Sequence, residues 1–238
     1  MKAILLAAGR GTRKSRMVAE VPKSTLPIDG TPLIRLTVEI LARKGIDSVV
    51  CVGYHPEKIR EALTGLNVTY CENPFFEVTN SIASLWFSQS HLDDDLIIMN
   101  ADVYLTEGIL DMVLEDANDA VMAIDVTRTK VGDYFFKTTE NGSIIKYGKE
   151  LPLEERTCEY VGLAKISKSF LPAFIERMNK LIWEGEYNFW WENVLYSFTD
   201  NNEKEIKTVD VDGKFWSEID YFDDYERILD HISSQNKE

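Results

Sequence analysis

The segment AILLAAGRGTRKSRMVAEVPKSTLP, residues 3–27, limits the possible folds more than any other part of this chain. Its first six residues form a continuous apolar run, which is typical of a strand buried on both faces of a parallel sheet. Gly9 and Gly11 follow this run and allow tight turns in which backbone N–H groups face the oxygens of a phosphate. The segment therefore predicts an α/β sheet whose first loop binds an anion.

Neither common phosphate-binding fingerprint fits this loop. A dinucleotide motif needs a third glycine where the chain has Lys14, and a P-loop needs glycine where Pro22 precedes Lys23. Five basic residues nevertheless lie around the two glycines, between residues 10 and 23, and Glu20 is the one acidic residue in that range. The basic residues are Arg10, Arg13, Lys14, Arg16 and Lys23. They predict a phosphate site, with a solvated basic loop as the alternative.

The chain as a whole is acidic, with a formal net charge of −14 over 238 residues. This balance disfavours a nucleic-acid surface, whereas a local basic loop favours a small anionic ligand such as a nucleotide. No run approaches the ~20 apolar residues of a membrane span, and no signal-peptide pattern opens the sequence. The three cysteines have neither disulfide parity nor zinc spacing. We expect a soluble cytoplasmic protein without nucleic-acid or membrane partners.

Strand-like runs alternate with amphipathic segments over residues 3–125, which is typical of a doubly wound α/β sheet. After residue 130 the pattern changes to a hairpin, DYFFKTT–ENG–SIIKYG, and then to a helix pair over about residues 168–198. We therefore expect one domain over residues 1–238. Its sheet should be mixed and mostly parallel, with a small hairpin and helical lid over about residues 130–200.

Two carboxylates follow strand-like runs of this predicted sheet. Asp102 comes after LIIMNA, and Asp220 lies in SEIDYFDDYE, between a strand and the last helix. Ligands of such sheets bind beyond the carboxyl ends of the strands, and Mg²⁺ is commonly held by carboxylates plus substrate phosphates. Asp102 and Asp220 are therefore candidate Mg²⁺ ligands. A helix N-cap is the alternative role for Asp102.

Four segments resemble the nucleotidyltransferases that couple a nucleoside triphosphate to a phosphorylated sugar or alcohol. They are LAAGRGTR from residue 6, VPKSTLPIDGTPLI from 21, NADV from 100 and EIDYFDDY from 218. From Gly11 to Lys23 the spacing is similar to that family's G-[ST]-R…P-K signature. The resemblance spans nearly the whole chain and implies the family's Rossmann-like fold.

The resemblance also implies roles for individual residues. The loop Gly9–Arg13 would wrap the triphosphate, Lys23 would contact phosphate near the reacting centre, and Asp102 and Asp220 would bind Mg²⁺. The implied catalytic residues are Arg13, Lys23, Asp102 and Asp220. The implied nucleotide-binding residues are Leu6, Ala8, Gly9, Arg10, Gly11, Thr12, Arg13, Lys23, Asn80, Ser84 and Ala101.

The chain departs from this family's pattern after the loop arginine. Where members commonly have Leu-x-Pro-Leu-Thr, this chain has KSRMV, so that Arg16 replaces proline and Val18 replaces threonine. A Glu-Lys-Pro motif, usual in sugar-specific members, is missing from the middle of the sequence. A sugar phosphate is therefore the less expected acceptor.

Within the family, TNSIASLW from residue 79 and NFWWENVL from 188 resemble segments of phosphocholine and aminoalkylphosphonate cytidylyltransferases. Aromatic faces and carboxylates hold ammonium groups. The predicted acceptor-binding residues are Tyr134, Glu159, Trp190, Trp191, Glu192 and Glu218. Core packing is the alternative for Phe189 and Trp190, although two adjacent tryptophans on a helix cannot both face one core.

The expected reaction transfers CMP from CTP to a phosphorylated or phosphonate amino alcohol, with release of pyrophosphate. A sugar-phosphate or polyol-phosphate nucleotidyltransferase is the nearest alternative. A nucleotide-sugar glycosyltransferase is a further one, but NADVY supplies one aspartate where such enzymes commonly have Asp-x-Asp. A non-catalytic nucleotide-binding protein would be expected to lack Lys23 or a metal carboxylate, and this chain has all three residues.

Overall fold

The computed structural model describes residues 1–10 and 21–235 of the chain. The strands are β1 (Lys2–Leu6), β2 (Pro27–Ile28), β3 (Thr31–Pro32), β4 (Asp47–Val52), β5 (Val68–Glu72), β6 (Leu96–Asn100), β7 (Val103–Leu105), β8 (Ala120–Asp125), β9 (Phe135–Thr138), β10 (Ile144–Gly148), β11 (Cys158–Ile166), β12 (Lys207–Asp210) and β13 (Trp216–Glu218). The helices are α1 (Leu33–Arg43), α2 (Pro56–Ala62), α3 (Ser81–Phe87), α4 (Glu107–Glu115), α5 (Leu171–Trp183), α6 (Asn193–Asp200) and α7 (Phe222–Gln235).

A nine-stranded sheet forms the centre of the fold. Its parallel part runs in the order β5-β4-β1-β6, and β11 joins the other side of β6 in the antiparallel direction. Leu6 at the end of β1 lies opposite Asn100 at the end of β6, and the N–H of Ala101 donates to the Leu6 carbonyl at 3.2 Å. The loops after β1 and β6 therefore leave the sheet side by side.

Helices cover both faces of this sheet. On one face α1, α2 and α4 pack Ile34, Ile59 and Ile109 in one apolar cluster with Leu5. On the other face α3, α5 and α6 pack in a second cluster with Ile4. Successive strand residues point to opposite faces, so two helical layers require the continuous apolar run of β1. The predicted doubly wound α/β fold with a mixed sheet is confirmed.

The segment after residue 130 shares this core. The predicted hairpin forms as β9 and β10, and β9 pairs with β11, so that the hairpin extends the main sheet. The predicted helix pair forms as α5 and α6. Glu159, one of the predicted acceptor-binding residues, lies within a strand of this sheet. It is the second residue of β11, because it pairs with Phe135 of β9.

A separate two-stranded ladder joins distant parts of the sequence. β7 follows Asp102 directly and pairs antiparallel with β13, and the N–H of Ile219 donates to the Asp102 carbonyl at 3.0 Å. This pairing brings the NADV and EIDY segments together. Among residues 1–10 and 21–235, no helix combines the length and apolar character needed to cross a membrane.

Gly162 allows β11 to lie against the start of β7. Its φ is +89°, and an added Cβ would lie 2.8 Å from Cγ2 of Val103. We expect Gly162→Ala to lower the free energy of unfolding by about 1–3 kcal/mol, because a positive φ and a close contact both disfavour a side chain. Urea unfolding would measure the loss. Gly9→Ala is the control, since its Cβ would meet no atom of the described residues within 4 Å. Equal stability of the two variants would contradict the expectation.

Candidate active site

Three adjoining cavities lie beyond the carboxyl ends of β1 and β6. The loop cavity is lined by Leu6, Ala7, Gly9, Pro22, Lys23, Ser24, Ala101 and Asp102. The central cavity is lined by Leu6, Ala8, Gly9, Asn73, Phe76, Thr79, Asn80, Ser81, Ser84, Asn100, Asp102, Trp190 and Glu218. The aromatic cavity is lined by Ser81, Asn100, Asp133, Tyr134, Lys149, Tyr160, Trp190, Glu192, Tyr196 and Glu218. Shared lining residues connect each cavity to the next.

Three carboxylates gather where the loop, central and aromatic cavities meet. Asp102, Glu218 and Asp220 each offer an oxygen, and these oxygens lie within 4.8 Å of one another. Asp102 is not a helix N-cap, because α4 begins only at Glu107, after Thr106. The N-cap interpretation of Asp102 is therefore wrong, since a turn and β7 separate it from the helix. Sequence reasoning placed Glu218 with the acceptor residues, and the structure adds it to the carboxylate cluster.

Lys23 lies directly on this cluster. Its side chain is buried, and its Nζ is 2.7 Å from Oδ1 of Asp220 and 3.9 Å from Oδ2 of Asp102. Burial, followed by the charges of Asp102 and Asp220, raises the pKa of Glu218 well above its usual value. Carboxylate oxygens at this spacing suit Mg²⁺, which prefers hard oxygen ligands. The donor set therefore fits the predicted metal.

The N terminus of α3 forms one wall of the central cavity. Asn80 caps this helix, since its Oδ1 accepts a hydrogen bond from the Ser81 N–H at 2.8 Å. The N–H of Asn80 donates to the Tyr187 carbonyl at 2.9 Å, and that of Ile82 donates to the Phe189 carbonyl at 3.3 Å. The wall is therefore tied to the chain segment that leads into Trp190.

A buried asparagine organises the rest of this wall. Nδ2 of Asn73 donates to the hydroxyls of Thr79 and Ser84 at 3.1 and 3.0 Å, and Oδ1 accepts from the Phe75 N–H at 2.9 Å. The predicted residues Asn80 and Ser84 both line the central cavity. Asn73 was missed, because the sequence gives no signal that separates it from a turn residue after β5.

The first loop is described only in part. The predicted nucleotide-binding residues Leu6, Ala8 and Gly9 line the central cavity, whereas Arg10 is exposed and places its guanidinium 5.7 Å from the ring centre of Tyr54. The remaining residues predicted in this loop lie outside the described residues. They are Gly11, Thr12 and Arg13, together with Lys14, Arg16 and Val18.

Aromatic rings form the walls of the aromatic cavity. The Tyr134 ring stacks 5.7 Å from Tyr196 and meets Trp190 edge-on at 5.8 Å. Tyr160 also lines this cavity, and its buried hydroxyl lies beside the Glu192 carboxyl. Burial, followed by the charge of Glu192, raises the pKa of Tyr160 well above its usual value. The cavity thus combines aromatic faces with buried acidic groups.

Asn100 connects this cavity to the core. Its Nδ2 donates to Oε1 of Glu192 at 3.3 Å, and its Oδ1 accepts from Nε1 of Trp191 at 3.1 Å. Burial, reinforced by the charge of Asp102 but opposed by hydrogen bonds to the carboxylate, raises the pKa of Glu192 to about 7. Asn100 was not predicted as a site residue, although it opens the NADV motif.

Two predicted acceptor residues do not line the aromatic cavity. Trp191 is 0% exposed and packs in the core, whereas Trp190 is 39% exposed and lines the cavity. Glu159 is buried in β11, where Oε2 lies 2.6 Å from Nε of Arg128 and Oε1 accepts from the Asp133 N–H at 2.8 Å. We assign both residues to support of the cavity, because burial separates them from it.

Five further residues that line the aromatic cavity escaped the sequence analysis, namely Ser81, Asp133, Lys149, Tyr160 and Tyr196. Tyr160 and Tyr196 occupy apolar periodic positions of β11 and α6, where a tyrosine is indistinguishable from a core residue. Asp133 and Lys149 flank the hairpin, and only the closure of β9 on β11 brings them to the site. No pattern in the sequence marks this pair.

Sequence comparisons relate the chain to known transferases. Residues 3–162 match the model of the MobA-like NTP transferase domain. The chain is 26% identical to the choline-phosphate cytidylyltransferase of Streptococcus pneumoniae, over 99% of this chain and 100% of that protein. It is also 26% identical to the CTP:phosphoglutamine cytidylyltransferase of Campylobacter jejuni, over 95% of this chain and 98% of that protein.

A solved structure of the CTP:phosphocholine cytidylyltransferase from Streptococcus pneumoniae has the same fold. It superposes with a TM-score of 0.77 and 22% sequence identity, covering 97% of this chain and 98% of that chain. Since this identity is low, the superposition establishes the fold and does not identify the substrate.

Glu192 should make stability depend on pH. Its pKa of about 7 exceeds the usual glutamate pKa of 4.5, so between these pH values the folded protein keeps a proton that the unfolded chain loses. The free energy of unfolding should therefore fall as pH rises through this window, by at most about 3 kcal/mol. Glu192→Gln retains an acceptor for Asn100 but cannot ionise. Its stability relative to wild type should rise from pH 5 to pH 7 and then level off.

Urea unfolding at pH 5, 6, 7 and 8 would measure this difference. Glu140→Gln is the matched control, because Glu140 is exposed in the turn between β9 and β10. A difference between Glu192→Gln and wild type that stays constant over this range would show that Glu192 does not titrate as expected.

Proposed function

We propose that this protein, which belongs to the MobA-like NTP transferase family, transfers CMP from CTP to a small phosphorylated or phosphonate amino alcohol. The similar cytidylyltransferases support the coarser statement that it is a nucleotidyltransferase acting on phosphorylated substrates. One observation carries the proposal further. Glu218 belongs to the carboxylate cluster and lines both the central and the aromatic cavity.

This continuity suits an acceptor with two different ends. Its phosphate or phosphonate would lie at the carboxylate cluster with Lys23, and its ammonium would lie among the rings of the aromatic cavity. The exposed face of Trp190 and the buried carboxyl of Glu192 supply the two groups that attract a cation. CTP would occupy the central and loop cavities, with its triphosphate near Gly9 and Lys23.

The reaction would be an in-line displacement at phosphorus. An acceptor oxygen bonds to the α-phosphorus of CTP, the bond from that phosphorus to the bridging oxygen breaks, and its electron pair leaves with pyrophosphate. The attacking oxygen is already anionic, so no general base is required. The Lys23 ammonium would donate to a phosphate oxygen and offset charge that grows in the transition state. Bound by Asp102, Glu218 and Asp220, Mg²⁺ would neutralise charge on the phosphates.

A polyol-phosphate or sugar-phosphate acceptor is the second candidate. Its hydroxyls need several hydrogen-bonding side chains, and the aromatic cavity does offer Ser81 and Asn100. The other walls are mainly aromatic rings and carboxyl groups, which favour a cation. A glycosyltransferase or a non-catalytic nucleotide-binding protein has less support, since the retained Lys23, Asp102 and Asp220 lie together.

A substrate matrix tests the proposal. Four nucleoside triphosphates would be combined with phosphorylated amines, aminoalkylphosphonates, polyol phosphates and sugar 1-phosphates, and pyrophosphate release would be measured with Mg²⁺ and with excess EDTA. We expect CTP with a cationic acceptor to give the highest kcat/KM, and EDTA to abolish it. Faster turnover of sugar 1-phosphates than of every amine tested would overturn the acceptor class.

The carboxylate cluster should be essential for turnover. We expect Asp102→Asn and Asp220→Asn each to lower kcat about 100-fold or more, because an amide neither binds Mg²⁺ as strongly nor pairs with Lys23 as a charge. Asp223→Asn is the control, since Asp223 is exposed in the first turn of α7. Steady-state rates over a Mg²⁺ titration would show the effect. Full Mg²⁺-dependent activity in either variant would exclude that carboxylate from the mechanism.

Trp190 should recognise the charge of the acceptor. A cation over a ring face is worth about 0.5–2 kcal/mol, so Trp190→Leu should raise KM for phosphocholine about 2- to 30-fold. The KM for 3,3-dimethylbutyl phosphate, a neutral isostere, should change less. Trp183→Leu is the matched control, because Trp183 is 81% exposed on α5. Equal effects on the charged and neutral acceptors would assign Trp190 to shape alone.

A further inference from the structure

An ammonium group of the chain itself already lies in the aromatic cavity. Lys149 directly follows β10, and its Nζ is 5.2 Å from the centre of the Trp190 ring. The same Nζ is 2.7 Å from Oδ2 of Asp133, and both residues line the cavity. Lys149 thus makes the two contacts, a ring face and a carboxylate, that a cationic ligand would need.

Asp133, the carboxylate of this pair, belongs to a segment that is hydrogen-bonded to a buried ion pair. The N–H of Asp133 donates to Oε1 of Glu159 at 2.8 Å, and Glu159 in turn pairs with Arg128. The preceding Gly132 lies so close that an added Cβ would be 2.3 Å from the Glu159 carboxylate. Asp133 is therefore positioned by buried groups rather than by Lys149 alone.

The Lys149 side chain is anchored less firmly than its partner. It is 30% exposed, and within the part of the cavity that the structure describes it makes an ion pair with Asp133 and lies over the Trp190 ring. An exposed ion pair contributes little free energy because water and salt screen it. A second cation at the Trp190 ring face would meet like-charge repulsion from Lys149, so this face and the Asp133 carboxylate favour one cation at a time.

We infer that Lys149 is a specificity-determining residue, an internal competitor that holds Trp190 and Asp133 until the ammonium of the acceptor replaces it. This inference rests on the proposed function, since it assumes that the acceptor's cation enters the aromatic cavity. A neutral head group cannot replace the ring contact and the ion pair, so it leaves Lys149 in place. The competition therefore selects acceptors by charge.

Binding of choline, without its phosphate, tests the competition independently of turnover. Lys149→Met removes the charge and keeps a side chain of similar length. We expect it to tighten the Kd of choline about threefold or more, as measured by isothermal titration calorimetry, because the free ring face and carboxylate then serve the ligand. The Kd of neutral 3,3-dimethylbutanol should change less. An unchanged or weakened choline Kd, or no choline binding to either protein, would overturn the inference.

Two further variants separate this role from a general effect of charge. Lys146→Met is the matched control, because Lys146 lies in β10, just before Lys149, and pairs with Glu155 at 2.7 Å outside the aromatic cavity. It should leave choline binding unchanged. In a Trp190→Leu background, the effect of Lys149→Met should shrink, since the contested ring is gone. An equal effect of Lys146→Met, or an undiminished effect without Trp190, would contradict direct competition.

Kinetics with the acceptor complete the test. Lys149→Met should lower KM for phosphocholine about threefold or more while leaving KM for CTP unchanged. Suppose that wild type and Lys149→Met release no pyrophosphate with any acceptor, yet Lys149→Met tightens choline binding. The proposed function is then wrong and the competition stands. If turnover is normal and the choline Kd is unaffected, the competition fails and the proposed function stands.

Discussion

Mutual repulsion among Asp102, Glu218 and Asp220 is the constraint on which the rest of the site depends. Three acidic groups with oxygens within 4.8 Å of one another cannot all be charged without compensation, and burial adds to the cost. In this structure Lys23 supplies part of the compensation through its ion pairs with two of them. The cluster therefore favours bound cations. Under the proposed function, a metal together with substrate phosphates would change the contacts of Lys23.

Backbone pairing holds this repulsive cluster together. β1 and β6 lie in parallel register, which fixes the loop before Asp102, and the β7–β13 ladder brings Glu218 to the same place from a distant part of the chain. Asp224 supports the next turn, since its Oδ2 accepts from the N–H groups of Asp220 and Tyr221. The stability of the sheet thus offsets the local electrostatic cost, as is common where sites require strained or charged arrangements.

Sequence reasoning succeeded where local pattern and fold rules agree. The alternation of strands and helices predicted over residues 3–125 forms, and Asp102 lies at the carboxyl edge because the parallel strands β1 and β6 both end there. Sequence reasoning failed where the position of a side chain depends on how distant strands pair and pack. Glu159 and Trp191 have side chains suited to binding an acceptor but lie in the core. Lys149 belongs to no recognisable motif, and it reaches the cavity only because β9 pairs with β11.

The backbone hydrogen bonds from α3 to Tyr187 and Phe189 give the central and aromatic cavities a common wall. Under the proposed reaction, a nucleotide that orders α3 would also order the segment leading to Trp190, where the acceptor binds. The conformational entropy lost on binding the first substrate need not be lost again by the second. Substrate affinities coupled in this way are reciprocal, so each substrate would strengthen the binding of the other by the same factor.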